Sequence, residues 1–500
     1  MSLTFLHSCQ DEEVFQEETT STKPIEFVQV EEGRLHFSNK GFLNRKVDKF
    51  KEEGRSFAAK ELAELYDKDF YSLRPIIEQE NEVLVQKFAN RKAENKSLAK
   101  KSEQTENDLN DLEDLIGDDE YASFINDKGE IQVADSIYKY TDKGLFFVHK
   151  SDLEHLNNYL ANNLDNESAS KSNQMSRNYR VSPCEYALRE GGLRRLDDRI
   201  MRYIQPIDDC SSGGGGSSGG GGSGSNNVLS SLDNFVKNLP ECDSRSGTLD
   251  VIFGPSAICI AKFSRKYRVK TKYWNQDYLL YKSIGINVKH QKKSWYGVWW
   301  TRSTDEIALG IKQAYFEYSV PIPQIQNVNP QIFIYNGRAY NSQAQYISST
   351  YGSSLPNLPF TTPLEIVVNL PVYGIFEYNM SADKLNKYFW ENVWNQAKSV
   401  LQKLGQPMPK EIALVGVTSQ KVVVNYVNTS QRRTGTKKIE KVFDWQAGFG
   451  IKLGTGSGNG FSFKGVQMPK FYKYDKVKID IYGVARRGST WKGSRLIYED

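Results

Sequence analysis

The sequence predicts an α+β protein: an N-terminal mostly helical domain with a small β-meander, a Gly/Ser linker, and a C-terminal predominantly antiparallel β domain with one long helix. Residues 1–225 hold 29 basic and 42 acidic side chains, whereas residues 226–500 hold 36 basic and 19 acidic ones. All eight tryptophans fall in the second part. Residues 211–225 are only glycine and serine, a composition typical of flexible linkers. The domains predicted are therefore 1–40, 41–209, 210–225 and 226–500.

The first segment, residues 1–40, is predicted to be a signal remnant and an acidic tether. Leu6-His7-Ser8-Cys9 resembles the lipobox of bacterial lipoproteins, and Gln10-Asp11-Glu12-Glu13 resembles the export signal of surface lipoproteins in the Bacteroidota. The resemblance implies a lipid such as palmitate on Cys9 and a place at the cell surface, on the outer membrane. His7 departs from the motif, and residues 1–8 are too short for a whole signal peptide, so the chain is expected to begin partway through it. The alternative is a frayed terminus with a free thiol.

The second segment, residues 41–209, combines helices with three short strands. Apolar residues recur at helical spacing over 41–115. Glu130–Val133, Ser136–Tyr140 and Leu145–Val148 alternate apolar and polar residues, which predicts a small meander. Ser151-Asp152-Leu153-Glu154 has the form of a capping box, so a helix is expected to begin there. This region is similar to a module of Bacteroidota lipoproteins of unknown function, a resemblance that implies no site.

The last segment, residues 226–500, is rich in aromatic and β-branched runs separated by Gly, Pro and Asn. One helix is predicted between Ser381, which can cap it, and Gly405, which can end it. The fold predicted for this segment is an antiparallel sheet with the long helix packed on it.

The chain has five cysteines, and four remain for disulfides if Cys9 is lipidated. Cys242 and Cys259 are close in sequence and flank a predicted turn, so we expect them to pair. Cys259 as a buried free thiol is the alternative. Disulfides are compatible with an exported protein.

The strongest functional signal is a set of cations interleaved with aromatic residues in the basic segment. In Arg268-Val269-Lys270-Thr271-Lys272-Tyr273-Trp274, the three cations share one face of a strand. Positive charge attracts acidic polymers, and aromatic faces stack on sugars. The alternative is a solvated sheet face whose lysines discourage edge pairing. The candidate ligand-binding residues are Arg268, Lys270, Lys272, Trp274, Lys292, Lys293, Trp295, Trp299, Arg432, Arg433, Arg486 and Arg487.

Catalytic signatures are absent from the sequence. There is no His-Glu-x-x-His, no Gly-x-Ser-x-Gly and no P-loop, and no cofactor is expected. Asp118-Asp119-Glu120 lacks the spaced oxygen ligands of a cation loop and is interpreted as a solvated acidic turn, so no metal is expected. Carboxylates such as Glu365, Glu377, Asp444 and Asp480 could still converge in space as a hydrolase pair.

These observations favour a non-enzymatic surface lipoprotein over the other function classes. Its expected partners are the membrane, through the lipid anchor, and an acidic polysaccharide, a lipopolysaccharide or an envelope protein. An envelope hydrolase acting on polysaccharide or peptidoglycan is the alternative. Nucleic acid is disfavoured, because an exported location would separate the protein from it and no nucleic-acid motif is present.

Overall fold

The computed structural model describes residues 26–78, 81–101, 115–162, 183–206, 232–242, 252–293, 299–319, 331–348, 364–369, 384–417, 421–443, 454–455, 461–462 and 476–499. Cys9, Trp295, Glu377, Asp444 and the Gly/Ser tract lie outside these residues. Throughout the described part the chain is a mixed α+β protein in which strands predominate.

We call the described residues 26–206 the N-terminal half and those from 232 onward the C-terminal half. The N-terminal half contains several helices. Helix α1 begins after Asn39, whose side-chain oxygen accepts a 2.8 Å hydrogen bond from the backbone N–H of Phe42. It ends at Gly54, whose φ of 84° lies in the left-handed region that favours glycine. The helices of this half are α1 (Lys40–Glu53), α2 (Arg55–Tyr66), α3 (Glu82–Lys101), α4 (Asp119–Ala122), α5 (153–162) and α6 (Pro183–Glu190).

The described strands of the N-terminal half form one seven-stranded sheet in the order β1-β2-β3-β4-β5-β7-β6. The strands are β1 (Val28–Glu31), β2 (Arg34–Phe37), β3 (Glu130–Val133), β4 (Ser136–Thr141), β5 (Gly144–His149), β6 (Gly192–Arg195) and β7 (Met201–Ile204). Strands β3 to β5 are the expected meander, and β2 pairs with β3 in parallel. The sheet is thus larger than the sequence indicated, because four strands flank the meander.

The expected tether over residues 1–40 is wrong for its final part. Strands β1 and β2 belong to the sheet, and the side chains of Leu35 and Phe37 are fully buried in the core. The low apolar content of the segment gave no indication of these two four-residue strands. They are buried by partners that lie far along the chain. Residues 1–25 of the tether lie outside the described part.

The C-terminal half contains two larger sheets. The first has the path β11-β10-β9-β8, with β19 paired to β10, among the described strands. Its strands are β8 (Ser256–Ser264), β9 (Tyr267–Asp277), β10 (Lys282–Lys293), β11 (Trp299–Thr301) and β19 (Lys438–Val442). We call it the five-stranded sheet. All of its pairs are antiparallel.

The second C-terminal sheet has nine described strands in the order β15-β14-β13-β16-β17-β18-β12-β22-β23. They are β12 (Glu306–Ser319), β13 (Gln331–Tyr335), β14 (Arg338–Tyr340), β15 (Tyr346–Ser348), β16 (Leu364–Asn369), β17 (Ile412–Val417), β18 (Lys421–Thr434), β22 (Lys476–Arg487) and β23 (Thr490–Glu499). A separate short pair joins β20 (Gly454–Thr455) to β21 (Phe461–Ser462). Pairing is antiparallel except between β16 and β17.

The main core lies between the two C-terminal sheets. Val269 and Ile286 from the five-stranded sheet pack with Ile311 and Ile479 from the nine-stranded sheet, all at most 1% exposed. The two remaining described helices are α7 (Leu232–Lys237) and α8 (Lys384–Lys403). Helix α8 is the long helix expected from the sequence, and it buries Val393, Ala397 and Val400 against the β13 end of the nine-stranded sheet. None of the helices in the described ranges is long and apolar enough to cross a membrane.

The two halves share a second core. Tyr278 and Tyr281, from the link between β9 and β10, stack on Tyr121 of α4 with ring centroids 5.1 and 5.2 Å apart. Phe253 and Leu280 join the same buried cluster. The halves that the Gly/Ser tract connects are therefore packed against each other.

Candidate ligand-binding surface

The five-stranded sheet presents different chemistry on its two faces. Val269 and Tyr273 of β9 point into the core between the sheets, while the alternating residues Lys270, Lys272 and Trp274 point to the opposite face. The expectation that these cations share a face is consistent with that alternation. The expectation that the face is open to solvent is wrong, because its side chains are buried and the N-terminal half packs on the face at Trp274 and Lys289. Lys270 is 7% exposed, Lys272 2% and Trp274 0%.

Trp274 is a packing residue between the halves. A methyl group added at Gly117 would lie 2.2 Å from Cγ of Trp274, and one at Gly285 would lie 2.4 Å from its Cζ2. The indole therefore fills a slot that only glycine leaves open on both sides. Its Nε1 donates a 2.9 Å hydrogen bond to Ser283 Oγ. Trp274 is therefore buried and does not present a face to a ligand.

An ionic cluster joins the covered face to helix α4. Asp119 accepts hydrogen bonds from Lys289 at 2.8 Å and from Lys438 at 2.6 Å, and it also pairs with Arg74. Burial acts to raise the pKa of the Asp119 carboxyl, but the three cations together hold that pKa well below its usual range. The carboxylate is therefore charged and fully paired.

The neighbouring Asp118 is equally buried. It caps α4 by accepting a 2.8 Å hydrogen bond from the backbone N–H of Tyr121, pairs with Lys51 at 2.8 Å, and accepts a 2.7 Å bond from Ser283 Oγ. The interpretation of residues 118–120 as a solvated turn is thus wrong for Asp118, which is 0% exposed, and for Asp119. Within the described ranges, no group of three or more His, Cys, Asp or Glu side chains is arranged to hold a metal ion.

Two further groups of this cluster have shifted pKa values. Burial lowers the pKa of Lys289 to about 8, against the opposing effect of Asp119. Burial also raises the pKa of Glu440 well above its ordinary value, although Lys438 favours the charged form. The arrangement is a structural ion network at an interface, since its charges are satisfied by one another rather than directed at an opening.

A different surface remains at the end of the five-stranded sheet, where several turns meet. We call it the basic rim and define it by residues 263–268, 290–293, 299–306, 431–437 and 486–490. These segments hold eleven Lys or Arg side chains and two acidic residues, Asp305 and Glu306. Side-chain contacts join all five segments.

Tyr267 is one centre of the rim. The guanidinium carbon of Arg487 lies 3.4 Å from the centroid of its ring, and Lys292 Nζ lies 5.7 Å from it. The ring also stacks on His290 with centroids 5.8 Å apart and an interplanar angle of 7°. A stacked guanidinium keeps its N–H groups at the ring edge, where they remain available to an anion.

Trp299 is the second centre. The guanidinium carbon of Arg268 lies 4.1 Å from the centroid of its ring, and Lys293 Nζ lies 5.9 Å from it. Arg268 is oriented by a 2.8 Å hydrogen bond from its Nε to Gln291 Oε1. Trp299 itself is partly exposed, so an indole face and two cations lie together at the surface.

The two acidic residues hold the rim together. Glu306, only 3% exposed, pairs with Arg432 and with Arg486, whose Nε lies 3.2 Å from its carboxylate. Asp305 accepts a hydrogen bond from the backbone N–H of Gly488. Arg433 is exposed on the same end of β18. The buried carboxylate thus positions two arginines and partly neutralises them, which leaves the rim strongly positive.

His290 lies beneath the rim. It is 1% exposed, lies between Tyr267 and Phe263, and its Nδ1 is 2.7 Å from the carbonyl oxygen of Arg302. Burial lowers the pKa of His290, so the neutral ring donates from Nδ1 and supports the rim without adding charge. Neither His290 nor Tyr267 was among the candidates, although Tyr267 directly precedes the alternating cations.

The structure therefore divides the sequence-derived candidates into three groups. The rim brings together Arg268, Lys292, Lys293, Trp299, Arg432, Arg433, Arg486 and Arg487. The covered face contains Lys270, Lys272 and Trp274. Trp295 lies outside the described residues.

The two described carboxylates of the hydrolase alternative lie far apart. Glu365 is on β16 and Asp480 is on β22, four strand spacings away, which is about 19 Å across the sheet. Both oxygens of Asp480 are held by Arg495 at 2.7 and 2.6 Å. Hydrolysis by paired carboxylates requires a separation of roughly 5–10 Å. These two residues therefore do not form such a pair.

Comparison with known proteins yields no assignment, since no protein-family model and no curated protein matches the chain. The residues and geometry of the basic rim are accordingly the basis for the function proposed below.

Proposed function

We propose that the protein is a lipid-anchored cell-surface protein whose C-terminal half binds an acidic glycan at the basic rim. One observation carries the proposal. Two aromatic rings at one end of the five-stranded sheet, Tyr267 and Trp299, are each flanked by a stacked arginine and a lysine. Sulfate or carboxylate groups take bidentate hydrogen bonds from guanidinium groups, and the two rings hold these arginines in place.

The charge distribution supports a linear anionic ligand. The rim cations lie around the end of β9 and β10, where Lys292 is opposite Tyr267 and Lys293 is opposite Trp299. By the alternation of the strands, the first pair lies on the face toward the nine-stranded sheet and the second pair on the other face. A polymer with repeated negative groups can contact several of them at once. Such attraction weakens as salt screens the charges.

The surface location is proposed from the lipobox-like sequence that ends at Cys9. The disulfide between Cys242 and Cys259 supports an exported protein, because disulfides persist in oxidising compartments. In a bacterium that makes the chain with a complete lipoprotein signal peptide before Cys9, labelled palmitate should enter the protein, and Cys9→Ala should abolish both the label and membrane association. Membrane association that survives Cys9→Ala would contradict the anchor.

The binding proposal is tested with the full chain and three immobilised probes: heparin, polygalacturonate and lipopolysaccharide. We expect retention on at least one of them at low salt and elution as salt rises. The double variant Arg268→Ala/Arg487→Ala should weaken binding about tenfold or more, equivalent to about 1.4 kcal/mol. The matched control, Arg195→Ala/Arg338→Ala, removes the same charge from exposed positions elsewhere.

The control distinguishes binding at the basic rim from attraction by the net charge of the protein. Equal weakening in the two double variants would mean that net charge alone drives retention, and the rim would be rejected as the site. Absence of retention on all three probes at low salt would reject an acidic glycan as the ligand.

A further inference from the structure

We propose that the two halves of this chain are a protein–protein pair: the outer face of the five-stranded sheet is a recognition surface, and its occupant is an acidic protein with the form of residues 26–206. The connecting residues 207–231 would then be dispensable for association. This inference does not depend on glycan binding, because it concerns the covered face rather than the basic rim.

The hydrogen-bonded sheets of the two halves are self-contained. In the described part of the chain, strands β1 to β7 pair only with one another, and strands from β8 onward pair only with one another. The halves therefore meet through side chains and loops, as two subunits do, and not through a shared sheet. Each half also has its own helices.

The apolar part of the contact is compact and aromatic. Tyr278 and Tyr281 enter the N-terminal half and stack on Tyr121, and Tyr140 Oη donates a 3.1 Å hydrogen bond to the carbonyl oxygen of Tyr278. Trp274 fills the space beside Gly117. Buried aromatic anchors that fill pockets, with few charges at the centre, are the usual energetic focus of protein interfaces.

The polar part of the contact is specific. Gln276 accepts a 2.8 Å hydrogen bond from the backbone N–H of Gly117 and donates a 2.9 Å bond to the carbonyl oxygen of Leu115. One side chain therefore binds two backbone groups of the other half. Asp119 pairs with Lys289 and Lys438 of the opposite half. Buried charges of this kind select the correct partner, since any other arrangement leaves them unpaired.

Overall charge favours association of separate chains. The half before the Gly/Ser tract is net acidic and the half after it is net basic, so long-range attraction accelerates encounter. The tract itself carries no apolar or charged side chain over residues 211–225. A composition of only glycine and serine is typical of linkers.

The first experiment inserts a protease recognition sequence between Gly216 and Ser217 and cleaves the folded chain. Size-exclusion chromatography at micromolar concentration and 0.15 M salt should show both fragments eluting together at the position of the uncut chain. Fragments that elute separately under these conditions would overturn the proposal.

The second experiment identifies the surface. Asp119→Lys places a cation beside Lys289 and Lys438, so the cleaved fragments should separate, with the dissociation constant raised at least a hundredfold. The control is Asp135→Lys, which makes the same charge change at an exposed ion pair with Lys150 inside the N-terminal half. If the two fragments of each cleaved variant stay together down to the same protein concentration in both variants, the assigned surface is wrong.

Gln276→Ala keeps the test decisive if Asp119→Lys does not fold before cleavage. It removes two hydrogen bonds across the contact without adding charge. We expect the dissociation constant of its cleaved fragments to rise at least tenfold. A constant equal to that of the unsubstituted cleaved protein would count against the surface.

Discussion

Lys289 Nζ lies 2.8 Å from Asp119 Oδ1, although 170 residues separate them in the chain. The two side chains belong to opposite halves of the protein, and both are almost completely buried. A carboxylate in such a position is stable only with its partners, because an isolated buried charge is strongly disfavoured.

Asp119→Asn should therefore destabilise the protein strongly. The change keeps the shape of the side chain but leaves Lys289, Lys438 and Arg74 without their shared anion. We expect the free energy of unfolding to fall by about 3 kcal/mol, measured by urea denaturation. The control Asp135→Asn, at an exposed pair with Lys150, should leave it nearly unchanged. Equal effects in the two variants would contradict the importance of the network.

The same carboxylate should make the protein acid-sensitive. The pKa of Asp119 is held well below its usual range in the folded state, so near pH 3–4 the unfolded chain binds a proton that the folded chain does not. The stability that Asp119 contributes is present above pH 4 and is lost as the pH falls toward the folded pKa. Thermal denaturation from pH 6 to pH 2 should show a steeper loss for the unsubstituted protein than for Asp119→Asn. Parallel curves would rule out the linkage.

Glu365 should reduce the stability of the protein as the pH rises from about 4 to about 7. Burial raises its pKa to about 7, whereas an unfolded Glu titrates near 4.3. Between these values the folded state holds a proton that the unfolded state has lost, so the free energy of unfolding decreases as the pH rises through this window. Glu365→Gln should be more stable than the parent by about 3–4 kcal/mol at pH 8 and equal to it at pH 4. The comparison variant is Glu411→Gln, which makes the same substitution at a partly exposed position next to β17.

The disulfide should stabilise the start of the C-terminal half. Cys242 donates its backbone N–H to the carbonyl oxygen of Arg495 on β23, and Cys259 is buried on β8, so the bridge closes a loop of 17 residues between two elements of the core. Cys242→Ala/Cys259→Ala should lower the free energy of unfolding by about 2–3 kcal/mol. Alkylation of the unreduced, denatured protein should leave these two thiols unlabelled. Labelling of both would show that the bridge does not form.

The sequence indicated much of the local structure. Period-two alternation located the meander at Glu130–His149, and the apolar stripe through Val393, Ala397 and Val400 located the long helix. These patterns are short-range, because an amphipathic strand or helix has to place its apolar residues on one face wherever it packs. Strands β1 and β2 were not predicted, because each is only four residues long and the sheet that includes them is formed with residues far along the chain.

The candidate site could be predicted only in part from the sequence. The alternation of Arg268, Lys270 and Lys272 predicted a common face for them, but it could not show that Lys270 and Lys272 are buried. Tyr267, His290 and Glu306 organise the basic rim through contacts between turns that lie far apart in the chain. No local pattern marks such residues in advance.

The sequence by itself determined the opposed charges of the two halves, the Gly/Ser composition of the tract between them and the alternation of the cations along a strand, since composition and periodicity are properties of the chain. Only the tertiary structure decided which cations meet solvent and which meet Asp119. Burial depends on what packs against a face, and here that neighbour is supplied by residues more than one hundred positions away. The physical consequence is that one basic sequence yields two chemically different surfaces: a paired interface and an open rim.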